Sequence, residues 1–147
     1  MMKPLIYAAI FAGICSMTAS AARAEYVMAT TIFGHQVYVT KQPGENKLMI
    51  DGTARLTDGR IDILEIGLAG DLPVVIGWIG SGGSMCGSVP FVISFAKGAP
   101  KLSVSPLECF QMDWTLGERQ ILFKVPQPDG NGPRFLWTHN DGFVEQK

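Results

Sequence analysis

The sequence predicts an all-β domain, an antiparallel sandwich or barrel-like fold of about eight to ten short strands with one disulfide. Three observations carry this expectation. Turn residues interrupt the apolar runs at intervals of about 8–14 residues. β-Branched and aromatic residues dominate those runs. Beyond residue 24, no window holds a long apolar stripe of helical period.

The N-terminal stretch reads as an export signal rather than as part of the fold. Lys3 is a positive start, Leu5 to Cys15 is an apolar core, and Ala22-Arg23-Ala24 is a small-residue cleavage site. The core falls short of the roughly 20 residues that span a bilayer. Ile14 stands where a lipid-attachment box at Cys15 would want a small residue, which argues against an anchor there. Residues 1–24 are therefore expected to be removed, leaving a single β-rich domain of residues 25–147 in the periplasm or outside the cell. Without Lys3 and Arg23, ten basic residues face thirteen acidic ones, a net charge of −3. The charges are scattered and form no basic stripe, so a nucleic-acid partner is not expected. No later apolar run approaches membrane length, so no membrane partner is expected after signal removal.

The strands follow in order. "YVMATTIFG" and "HQVYVT" precede Pro43-Gly44, and "KLMI" follows it. Asp51-Gly52 and Asp58-Gly59 are hairpin-type dipeptides on either side of "TARLT". In "RIDILEIGLAG", Gly67 and Gly70 argue against a long helix. "LPVVIGWIG" is almost continuously apolar, as a strand buried on both faces would be. "VPFVISF", "KLSVS", "CFQMDW", "RQILFKV", "RFLWTH" and "GFVEQ" complete the series. The loop Pro126–Pro133, "PQPDGNGP", joins two strands as a stiff, projecting turn.

Candidate chemistry is sparse. "GWIGSGGSMCGS", Gly77 to Ser88, matches a phosphate-binding loop except at its lysine, and that lysine supplies the central charge. It also fails the hydrolase elbow pattern, since Cys86 stands where the second glycine belongs. Cys86 and Cys109 are the two cysteines left after the signal, and an exported pair reads as a disulfide. Its loop would contribute roughly 3–4 kcal/mol in the chain-entropy model. His35 and His139 are too few and too separated for a metal site, and none is expected. Asp62, Glu65, Asp113 and Glu118 are the carboxylates a glycosidase-type pair would draw on, but turn-rich spacing favours solvated positions. Trp78 reads as core, while Trp114 and Trp137 lie beside polar residues and are candidates for half-exposed contact positions.

An apolar strand ending in Gly82-Gly83-Ser84-Met85-Cys86, the following "PFVISF", and a second cysteine in "LEC" resemble a pattern in small exported proteobacterial β-rich proteins of unassigned function. This chain departs from the commoner form, which has a Gly-Thr-Cys-Ser-like turn at the second cysteine. Here the residues are Leu107-Glu108-Cys109-Phe110. The resemblance implies an exported β-fold with one disulfide and no particular activity.

The reading that results is a non-catalytic interaction module binding another protein of the cell envelope, in the manner of an inhibitor or immunity-type protein. No cofactor is expected. Its partner surface is expected at the Pro126–Pro133 loop and the strand after it, through Pro128, Asp129, Asn131 and Trp137. In the alternative placement of Trp137, that side chain lies in the core and the loop is a plain connector. The competing function classes are a small periplasmic hydrolase and a glycan- or ligand-binding β-domain using Trp114 or Trp137.

Overall fold

The computed structural model describes residues 25–32, 34–80, 88–97, 99–106 and 112–147. The expected signal peptide and both cysteines of the expected disulfide lie outside these residues. The described residues are all-β, with twelve strands rather than eight to ten. Each apolar run became a strand of its own, because turns as short as two residues separate many neighbours. Among the described residues no helix is long and apolar enough to cross a membrane.

The strands form three consecutive antiparallel meanders of four. The first holds β1 (Glu25–Ile32), β2 (His35–Gln42), β3 (Glu45–Ile50) and β4 (Thr53–Asp58). The second holds β5 (Arg60–Ala69), β6 (Leu72–Gly80), β7 (Val89–Ser94) and β8 (Lys101–Val104). The third holds β9 (Asp113–Leu116), β10 (Gln120–Lys124), β11 (Arg134–Thr138) and β12 (Gly142–Gln146). Within each sheet every strand pairs with its sequence neighbour.

Turn chemistry explains much of this. Asp51 and Gly52 both take positive φ, 51° and 77°, as a two-residue type I′ hairpin requires between paired Ile50 and Thr53. Pro43-Gly44 and Gly70-Asp71 likewise close two-residue hairpins. Asp58-Gly59, expected as a hairpin turn, is not one. β4 and β5 belong to different sheets, and the chain steps from the first meander to the second there. Gly59 is held by the amide of buried Asn46, which donates to its carbonyl.

The second sheet is the middle layer. Its Val75, Phe91 and Ile93, with Phe95 just beyond β7, pack with Val37, Val39, Leu48 and Ile50 of the first sheet. Its Val74, Ile76 and Val92 pack with Ile121, Phe123, Phe135 and Trp137 of the third. Alternate residues of β6 and β7 thus serve two cores, since successive side chains in a strand point to opposite faces. The near-continuous apolar run "LPVVIGWIG" is the sequence trace of this arrangement.

Candidate interaction surface

The Pro126–Pro133 loop joins β10 to β11 and is closed at its neck. The Val125 N–H donates to the Pro133 carbonyl at 2.9 Å. A Cβ on Gly132 would collide with the Val125 carbonyl oxygen, so only glycine lets the two limbs approach this closely. At the tip, the Gly130 N–H donates to the Gln127 carbonyl at 2.9 Å. The Asn131 N–H donates to Asp129 Oδ1 at 3.0 Å, a local Asx turn. Residues 126–131 are exposed throughout. Three prolines and these bonds fix an exposed loop before any contact is made.

A cleft of about 630 Å³ lies where the loop returns to the third sheet. Asn131, Gly132, Pro133 and Arg134 line it from the loop side, and Leu122, Gln146 and Lys147 from the sheet. Of the residues singled out from the sequence, Pro128, Asp129 and Asn131 are exposed at this loop. Trp137 is not. It is fully buried among Phe123, Phe135 and Ile121, so it has no surface to offer a partner. The reason is parity: Phe135 and Trp137 point inward from β11, while Arg134 and Leu136 stand on the other face.

The histidines are structural in their contacts. His139 Nδ1 lies 2.7 Å from Ser94 Oγ, and Lys101 Nζ donates to the carbonyls of His139 and Asn140 at 2.6 and 2.8 Å. A serine–histidine pair is the beginning of a hydrolytic site, but Ser94 is fully buried, and among the described residues no carboxylate hydrogen-bonds to His139. The pair fastens the β11–β12 turn to the middle sheet. His35 Nδ1 meets Asp51 Oδ2 at 2.7 Å, and the Gln36 N–H donates to Asp51 Oδ1 at 2.9 Å. The His35 hydrogen bond, then the Gln36 N–H, hold the Asp51 carboxyl below its ordinary range.

The carboxylates serve separate contacts. Asp62 pairs with Arg60 at 2.7 Å. Glu65 Oε2 accepts from Trp114 Nε1 at 2.5 Å, tying β5 to β9. Asp113 and Glu118 are exposed, on β9 and in the turn after it. Trp114 is half-buried, as its sequence neighbours suggested, and so is Trp78, expected in the core. No group of three or more His, Cys, Asp or Glu that could hold a metal stands among the described residues. The opening glycine of "GWIGSGGSMCGS" is part of β6, and residues 81–87 lie outside the described ones.

The sequence reading missed a second exposed surface. Leu64, Ile66 and Leu68 on β5 are 37, 46 and 59 % exposed. A β-bulge lies between Ile63 and Glu65. Its signature is visible in "IDILEIGLAG", where apolar residues run 61, 63, then 64, 66, 68, a one-residue slip in an alternating pattern.

Comparison with known proteins gives a family without an activity. The chain is 27 % identical over 117 residues to a protein of Sinorhizobium fredii (strain NBRC 101917 / NGR234) called "Uncharacterized protein y4bG". The match takes in 78 % of this chain but 43 % of that protein, so the chain spans less than half of its relative's length. No solved structure matches. The model of the Y4bG N-terminal domain matches residues 33–147, and the chain belongs to that family.

Proposed function

We propose that the protein is an exported, non-catalytic interaction module that binds another protein of the cell envelope, as an inhibitor or immunity-type protein does. The observation that carries the reading is the exposed Pro126–Pro133 loop, fixed by its own hydrogen bonds beside the 630 Å³ cleft. A loop ordered in advance loses less entropy on association. Pro128, Asp129 and Asn131 supply its contact groups. Cleavage after Ala24 and a Cys86–Cys109 disulfide belong to the same proposal, and the mass of the exported protein tests both. The deciding experiment replaces residues 126–133 with a short Gly-Ser linker and captures partners from envelope extract. Retained melting behaviour with lost capture supports the reading. Capture undiminished by the replacement puts the interface elsewhere.

A further inference from the structure

We infer that the outer face of the third sheet binds an extended segment of the partner protein carrying a carboxylate two residues from an apolar side chain. This rests on the interaction-module reading and names the chemistry of what is bound.

Lys124 and Arg134 are direct cross-strand partners on this face, and both are exposed. Like charges directly opposite one another are destabilising. Neither forms an ion pair among the described residues. Asp113 opposes Lys124 from β9, on the side away from the cleft. Toward β12 the cleft is lined by Arg134 and Lys147, with Glu145 as its acid. Glu145 is the cross-strand partner of inward-pointing Phe135, so its position belongs to the opposite row from Arg134.

Two residues along each strand from the Lys124–Arg134–Gln146 row lies an apolar row, Leu122–Leu136–Val144. Val144 is 46 % exposed. At a rise of about 3.4 Å per residue the two rows stand about 6.8 Å apart. Side chains i and i+2 of an extended peptide have the same spacing and the same side. An acid over Arg134 then places an apolar side chain over Leu136. An arginine guanidinium receives a carboxylate through two parallel hydrogen bonds. Basic residues alone would take any anion, and the apolar row alone any hydrophobe. Their juxtaposition asks for both on one strand.

The test is an amide-resolved NMR titration of the protein with a capped pentapeptide, Gly-Glu-Thr-Leu-Gly. Expected are saturable shifts at Leu122, Arg134, Leu136 and Val144, with about tenfold weaker binding of the Gln-for-Glu peptide. Arg134→Glu should abolish the shifts while leaving the remaining spectrum unchanged. Equal binding of the Gln peptide overturns the inference, as do shifts that map elsewhere or no shifts at millimolar peptide. The same shifts with sodium acetate alone would mean a simple anion site and also overturn it. Partner capture by the parent that survives Arg134→Glu rejects the acidic segment and keeps the module reading. Capture that survives loop replacement rejects the module surface itself.

Discussion

Gly77 shows how one residue can fix the approach of two strands. It faces the first sheet from the middle of β6, and a Cβ there would run into the Phe91 ring and the Asp62 carbonyl. Gly77→Ala must push a fully buried phenylalanine out of place, and overpacking of this kind costs about 1–3 kcal/mol. Chemical denaturation of the variant should show that loss with an unchanged slope. The glycine was visible in the sequence, within the buried apolar run and at the head of the glycine-rich stretch, but not as a packing position. Only the pairing of Gly77 with Phe91 reveals its role, and that contact is non-local. Ser94 and Asp51 make opposite points about polar residues. Ser94→Ala removes the bond to His139 from a fully buried position, and a loss of about 1 kcal/mol in stability is expected. Asp51 is exposed, and its effect is read through pH. Its folded-state carboxyl is lowered, so its stabilising contribution is present above the ordinary aspartate range. It is lost as pH falls through the lower folded value. Asp51→Asn should therefore flatten the acid limb of a melting-temperature profile. A profile parallel to the parent's below pH 4 would show that the pair with His35 contributes nothing to it.

At the scale of elements, β5 is the informative case. A regular strand would send Leu64, Ile66 and Leu68 to the face opposite Ile61 and Ile63, because the side-chain period is two. The bulge between Ile63 and Glu65 absorbs one residue and keeps both groups on the side facing the first sheet. It also aims Glu65 at Trp114 on the other side, where the indole N–H meets its carboxylate. The first sheet covers Ile61 and Ile63, while Leu64, Ile66 and Leu68 remain exposed. Two isoleucines on neighbouring strands should then respond differently to truncation. Ile76→Ala empties a fully buried site and should cost about 2–5 kcal/mol. Ile66→Ala alters a side chain that is 46 % exposed, and a change within about 1 kcal/mol is expected. Thermal or urea unfolding of the pair measures the contrast, and equal losses would mean that Ile66 is covered in solution. The slip in the apolar pattern was legible in the sequence as a bulge signal. Which part of the strand stays uncovered was not, because that depends on where a different sheet ends.

The whole molecule is organised around a sheet without a solvent face in its central strands. The alternating and continuous apolar runs made the fold class and the burial of β6 readable from residue order alone. The grouping into three meanders was not readable. Asp58-Gly59 looks like Asp51-Gly52 in composition, yet one steps between sheets and the other closes a hairpin. Nothing local distinguishes them; the difference lies in which core the next strand joins. The Pro126–Pro133 turn was readable because proline and glycine act locally, whereas Trp137 read equally as core or contact residue, because its neighbours in sequence are polar and only its neighbours in space place it in the core. The layered arrangement also dictates where the molecule opens. An amide exchanges only when its strand separates from its partners, and opening free energy rises with the apolar contacts that must be broken. Separating β6 or β7 breaks contacts on both faces, to Val37 and Leu48 on one side and to Phe123 and Trp137 on the other. β4 and β9 are edge strands of outer sheets, with no fully buried apolar side chain of their own. Hydrogen exchange should therefore be slowest at Val74–Ile76 and Phe91–Ile93, approaching the rate of global unfolding, and orders of magnitude faster at Thr53–Asp58 and Asp113–Leu116. A uniform rate across all three sheets would mean that the layers unfold as one unit. Fastest exchange in β6 would overturn the assignment of the second sheet as the middle layer.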